Sequence, residues 1–376
     1  MSTNSSVPQL PSPEAARELR TEILSQPLVY VYGAGSVGRD SISVLQRAGV
    51  LVRAVVDAKD LTITSLHGVP LLKPDDPRLT PQQRAEGTLV IGIFNAYLSM
   101  PVLHAKLAAL GWKKIIPFTN FHGAFSAELG NRYWLTSREY YRSLQPQLAA
   151  ARALWADEKS RQLFDAIVRF RFSGDYNVLP PPDLERQYFP ADLPTWPKPL
   201  RLVDCGAYDG DTLRQVRALG LELDAYAGFE PDPANFVKLT AEVNAGAGAP
   251  TTTGLWPCGA WSHTCQLRFS AGQGSGSAVD SQGNTVIQCT TLDEALPSFR
   301  PTVVKMDIEG AEHAALLGAA RSIQTHRPGL AICLYHEPAH LWEIPFLIES
   351  WNLRYRLYLR CHYYSGFELV LYAIPN

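Results

Sequence analysis

The chain has 376 residues, 46% of them apolar and 19% charged, and its 34 Lys and Arg against 36 Asp and Glu leave a net charge of −2. These values fit a globular chain of two or three domains; they exclude wholesale disorder and nucleic-acid binding by a broad basic field. No apolar run reaches the ~20 residues of a membrane helix, and residues 1–14 lack the basic start and apolar core of a signal peptide. The six cysteines form no CxxC pair, so the expectation is a cytoplasmic protein with reduced thiols and no metal site.

Residues 1–13 are rich in Ser and Pro and predict a disordered tail, and a short helix from Pro13 completes a tail of residues 1–25. Strand and helix signals then alternate over 26–125: strands at Leu28–Tyr32, Val50–Val56, Leu89–Phe94 and Lys114–Ile116, and a helix at Met100–Leu110. That alternation predicts a parallel sheet covered by helices. Gly33-Ala34-Gly35-Ser36-Val37-Gly38 follows the first strand, and Asp57 ends the second. Gly33 and Gly35 suit a tight turn close to phosphate, Gly38 suits close helix–strand packing, and Asp57 suits ribose hydroxyls. The pattern reads as a nucleotide or nucleotide-sugar site, or as a Rossmann-like turn kept in a recognition domain. His67, His104 and His122 stand alone and read as structural or surface residues.

Residues 126–199 predict a helical connector followed by a linker, because prolines 180, 181, 182, 190, 194, 197 and 199 crowd its end. A second α/β pattern fills 200–376. Its first strand ends in Asp204 and runs into Cys205-Gly206-Ala207-Tyr208-Asp209-Gly210-Asp211-Thr212. This wider loop suits the amino acid part of S-adenosylmethionine (SAM), which has no pyrophosphate to cradle. Asp204 suits the α-amino group, and the amides around Gly210 and Thr212 suit the carboxylate. The second strand ends in Glu230, placed to take both ribose hydroxyls.

Together with Phe229-Glu230-Pro231, Thr291-Leu292-Asp293 and Val304-Lys305-Met306-Asp307-Ile308-Glu309-Gly310-Ala311-Glu312, this loop resembles the motifs of the FkbM family of SAM-dependent methyltransferases, in order and in spacing. The resemblance covers 200–376. It implies a class I methyltransferase fold with an antiparallel terminal hairpin, SAM as cofactor, and O-methylation of a hydroxyl on a sugar or natural product. It further implies that Gly206, Ala207 and Gly210 flank the methionine part. Cys258–Ser262, with Ala260 and Trp261, would end the third strand beside the adenine, where Trp261 either stacks on the purine or fills the core. Asp307 would face the reacting methyl.

A hydroxyl acceptor calls for a base, and histidine is the usual one. His336, at the end of the strand Leu330–Tyr335, is the first choice and His362 the second; His340 lies four residues beyond His336. Glu309 and Glu312, with Asp307 and His336, could ligate a cation, although acids in a first helical turn need none. The loop 271–277 reads as a lid or as a mobile hairpin tip. Tyr355–Arg360 and Phe367–Ala373 predict the terminal hairpin. The fold class is thus α/β with two Rossmann-like parallel-sheet domains. The expected partner is a small-molecule or glycan hydroxyl. A nucleotide-dependent oxidoreductase built on Gly33 to Asp57, and a non-catalytic nucleotide or SAM sensor, stand as alternatives.

Overall fold

A computed structural model of the chain describes residues 14–245, 250–272 and 276–376. The expected N-terminal tail therefore lies outside the described residues up to residue 13, and a helix occupies Glu14–Leu24. The chain divides into two compact units. One comprises residues up to Ala150 with Gln162–Pro182 and Tyr363–Phe367; the other comprises Ala151–Arg161, Asp183–His362 and Glu368–Asn376. The segment 126–199 is thus shared between the units, and its Pro-rich end, from Asp183, belongs to the second.

The first unit holds a six-stranded sheet. Its strands are β1 (Val29–Tyr32), β2 (Val52–Val56), β3 (Ser65–Leu66), β4 (Val69–Leu72), β5 (Thr88–Ile91) and β6 (Lys114–Ile116), in the order β3-β4-β2-β1-β5-β6. All pairs are parallel except β3 with β4. β1 and β5 are buried along their whole length, as central strands of a parallel sheet must be. β3 and β4 carry too short and too interrupted an apolar pattern to announce themselves in the sequence.

The second unit holds β7 (Leu200–Cys205), β8 (Leu223–Phe229), β9 (Thr252–Trp256), β10 (Gly259–Ala260), β11 (Cys265–Ser270), β12 (Ala278–Val279), β13 (Thr285–Thr290), β14 (Val303–Met306), β15 (Gly329–Cys333), β16 (Arg356–Cys361) and β17 (Leu369–Ile374). Seven of these form one sheet in the order β16-β17-β15-β14-β7-β8-β9. β15, β14, β7, β8 and β9 are parallel, and β17 enters antiparallel between β15 and β16. The expected terminal hairpin is present. The expected third strand is displaced: it is Thr252–Trp256, whereas Gly259–Ala260 pairs with β13 in a separate four-stranded sheet, β10-β13-β11-β12. No helix among the described residues is long and apolar enough to cross a membrane.

Candidate functional site

In parallel sheets of this type, ligands bind beyond the carboxyl ends of the strands. Register decides what meets there. Lys305 of β14 lies opposite Asp204 of β7. Its ammonium is 3.0 Å from Asp204 Oδ1 and donates to the Gly206 carbonyl at 2.6 Å. The other Asp204 oxygen accepts from the Tyr226 hydroxyl at 2.9 Å. Tyr226 reaches it along β8 because Gly228 leaves the face open: a Cβ there would sit 3.0 Å from the Tyr226 ring. Burial opposes the charge of Lys305, but Asp204, Asp307 and Asp211 outweigh it and hold the ammonium well above its ordinary pKa. Asp204 is sealed in this arrangement, so it braces the glycine loop through Lys305 rather than offering an open carboxylate.

The loop itself is dictated by close approach. Gly206 has φ +76, and a Cβ there would lie 1.9 Å from the Asp307 carbonyl oxygen. The Gly206 and Ala207 amides both donate to the Phe229 carbonyl at 3.0 Å. Gly210, at φ +86, starts the helix Asp211–Ala218. In that helix's first turn the Thr212 hydroxyl is buried with no hydrogen-bond partner among the described residues. Glu230, one residue past β8, is buried; it accepts from the Tyr208 amide at 2.9 Å and the Asp232 amide at 2.8 Å. Burial pushes its carboxyl up to about 7. Asp232 caps the next helix through the Ala234 amide at 2.9 Å and also accepts from the Gly272 amide at 2.7 Å and the Ser277 hydroxyl at 2.9 Å. The loop anticipated as a lid or hairpin tip is therefore anchored at 272 and 277, while its residues 273–275 lie outside the described residues.

Asp307, one residue past β14, stands at the same edge with its side chain 21% exposed. It accepts from the Tyr188 hydroxyl at 2.8 Å and lies 3.2 Å from the Tyr335 hydroxyl. Tyr335 Oη is also 2.8 Å from Glu368 Oε1, and Glu368 Oε2 accepts from the Gln187 amide. Burial, with Asp307 next in weight, pushes Glu368 up to about 8. His336 lies beside this group. Its Nδ1 is 2.7 Å from Glu312 Oε1, and its Nε2 is 3.4 Å from Asp307 and 3.6 Å from Glu309. Burial alone would lower the imidazole pKa, but Glu312 and Glu309 overcome it and hold it well above the ordinary value. Glu312 Oε2 also meets His340 at 3.3 Å. Ligand-type atoms of Asp307, Glu312 and His336, and of Asp307, Cys333 and Glu368, approach within 4.8 Å. The first set is tied together by the ion pairs of His336, and in the second the Cys333 thiol lies 4.0 Å from Glu368 Oε2.

Two anticipated residues fall elsewhere. His362 is buried, with Nδ1 2.8 Å from the Asp183 carbonyl and Nε2 2.7 Å from the Tyr372 hydroxyl. It ties chain segments together and lacks a free nitrogen for an acceptor. Trp261 packs on the small cluster of Phe269, Ile287 and Cys289, which is the core role of its two readings. Tyr188, Tyr335 and Glu368 were not anticipated. Tyr188 comes from the Pro-rich segment, and Glu368 precedes an antiparallel strand whose start reaches the edge where the parallel strands end.

In the first unit, Gly33 has φ +107, and a Cβ at Gly38 would lie 1.9 Å from the Gly33 carbonyl oxygen, so the fold itself requires both. A Cβ at Gly35 would meet nothing within 4 Å. Gly35 precedes the helix Ser36–Arg47. Asp57 accepts from the Ala34 amide at 2.7 Å and the Lys59 amide at 2.8 Å, which pins the turn. His122 bonds the Gly130 carbonyl at 2.8 Å, a structural role as expected.

Seven strands in this order, with a glycine loop after the first and acids after the second and fourth, define a methyltransferase-type sheet. Residues 204–359 match the family model of the methyltransferase FkbM domain. The crystal structure of methyltransferase FkbM from Methylobacillus flagellatus KT shares the fold: TM-score 0.76 and 22% identity, over 97% of this chain and 94% of that one. No curated protein matches the chain. The match to the methyltransferase FkbM domain covers residues 204–359 and supports methyltransferase activity.

Proposed function

We propose that the second unit transfers a methyl group from SAM to a hydroxyl oxygen of a sugar or other natural-product acceptor. The observation that carries this reading is Glu230: a buried carboxylate at the end of the second strand, oriented by two amides, with lone pairs left for a pair of ribose hydroxyls. The buried Thr212 hydroxyl at a helix start, unpartnered among the described residues, fits a carboxylate ligand and is the second point of fit. Bound SAM supplies an activated methyl on a sulfonium that leaves as a neutral thioether. The chain's own task is to hold the acceptor oxygen in line, exclude water and take its proton.

Asp307 takes that role in this proposal. It is the open carboxylate at the strand-four edge, and two tyrosine hydroxyls hold its oxygens. His336, the first choice from the sequence, is enclosed by Glu312, Asp307 and Glu309 and already carries its proton near neutral pH, so it serves as a fixed positive charge. Calorimetry with SAM tests the reading: wild type binds, and Glu230→Gln binds at least about tenfold more weakly, the loss of roughly one charge-assisted hydrogen bond.

In the first unit, the open space at Gly35 favours a nucleotide or nucleotide-linked sugar. The protein's own packing has no need of glycine there, whereas close approach of a phosphate does. Calorimetry with UDP and ADP, on wild type and Gly35→Ala, tests this second site.

A further inference from the structure

We infer that Cys265 and Cys289 form a thiol–disulfide modification site: a small disulfide oxidises the pair to a bond that staples β11 to β13 in the four-stranded sheet of the second unit.

All six cysteines stand as free thiols. Strand order limits which of them can meet. Cys205 ends β7 and Cys333 ends β15, with β14 between them, and Cys333 is separated from Cys361 by β17. Two strand spacings of about 4.8 Å each exceed the Cα separation that a disulfide spans, about 4.4–6.8 Å. Cys265 and Cys289 differ. They lie on adjoining antiparallel strands and are direct partners in the register. Residues directly opposite in such a ladder have Cα atoms about 4.5 or 5.5 Å apart, and both values lie inside the disulfide range.

Opposed side chains share one face of a sheet. On that face Phe269, Ile287 and Cys289 form a small core, with Cys265 packed against it. Closing the bond therefore needs no change of register. Cys258 is the competing partner. It stands outside the strands, and the ladder position beside Cys289 is taken by Gly259, where a Cβ would lie 3.0 Å from the Cys289 sulfur.

The two thiols differ in access. Cys289 is 1% exposed, whereas Cys265 is half-buried. Burial also pushes the Cys289 thiol up to about 12. Cys265 is thus the thiol that a dissolved reagent meets, and Cys289 the one that resolves. In the first step the Cys265 thiolate attacks one sulfur of the small disulfide, whose S–S bond breaks and releases one thiolate. In the second, Cys289 gives up its proton, its sulfur attacks the Cys265 sulfur of the mixed disulfide, and the second thiolate leaves. Two protein thiols have then lost two electrons and two protons, and one small disulfide has become two thiols. The new bond joins the strand that runs into Gly272, held on Asp232, to the strand that runs into Thr291, the cap of the next helix.

Oxidised glutathione on the full chain tests the inference, read by quenching, alkylation and peptide mass spectrometry. Expected in wild type is a Cys265 peptide linked to a Cys289 peptide, released by dithiothreitol. Cys289→Ser should hold a glutathione on Cys265, Cys265→Ser should take up none at Cys289, and Cys258→Ser should close the bond as wild type does. A bond from Cys289 to Cys258, a glutathione that stays on Cys265 in wild type, or both thiols still alkylated after prolonged millimolar oxidant overturns the inference. The wild-type map alone decides if a serine variant fails to fold.

Discussion

The Lys305 ammonium lies 3.0 Å from the carboxylate of Asp204, with both side chains almost wholly buried. Neighbouring strands place them in register, and the ammonium's second bond, to the Gly206 carbonyl, carries that pairing into the glycine loop. Removing one member of a buried pair strands the other charge, a cost of about 3–5 kcal/mol. Lys305→Met should therefore lose that much in urea unfolding, and adding Asp204→Asn should return part of it. Equal losses in the single and double variants would show that the pairing does not stabilise the loop.

His336 and Glu312 form a second buried pair, 2.7 Å apart. Burial resists the Glu312 charge, but His336 and His340 outweigh it and hold its carboxyl well below the usual range. Glu312 contributes stability that is lost as pH falls below its unfolded value of about 4.5; His336 contributes stability that is lost as pH rises from about 6.5 through its raised folded value. Their joint contribution is greatest between those limits. Imidazole NMR should show His336 holding both ring protons through neutral pH, and Glu312→Gln should bring its titration down by at least about one unit. An ordinary titration midpoint in wild type would return His336 to the role of base.

Glu230, at about 7, should couple cofactor binding to pH. A raised acid favours the protonated folded state, so its contribution to the free protein is complete below about 4.5 and fades as pH rises through 7. Ribose hydroxyls favour the ionised form instead. SAM affinity should therefore fall by up to about tenfold per unit below pH 7, with proton release on binding, seen by calorimetry in buffers of different ionisation enthalpy. Affinity independent of pH between 5.5 and 8 would separate Glu230 from the ligand.

The glycines of the first unit should divide by what surrounds them. Gly38→Ala would place a Cβ 1.9 Å from a backbone oxygen and should destabilise that unit severely. Gly35→Ala has open space and an ordinary φ of −73, so it should melt like wild type and affect only nucleotide binding. Circular-dichroism melts with UDP and ADP calorimetry check both halves of this statement.

Sequence reading reached the main sheet because its strands are short apolar runs that end in glycine or acid, as at Asp204, Glu230 and Asp307. It also reached the terminal hairpin. It put the end of the third strand at Cys258–Ser262, whereas that strand is Thr252–Trp256 and Gly259–Ala260 pairs in the separate sheet. It named His336 as first choice of base from its place at a strand end; the burial of His336 among Glu312, Asp307 and Glu309 is a property of packing, invisible along the chain. Glu368 and Tyr188 had no motif: one precedes an antiparallel strand, and the other sits among prolines that read as linker.

The most direct measurement is a crystal structure with S-adenosylhomocysteine. The predicted result is ribose hydroxyls on Glu230, the carboxylate near Thr212, and the sulfur directed toward Asp307. The nucleoside bound solely at the Gly33 loop, or absent from saturated crystals, would contradict the assignment of the second unit as the SAM site.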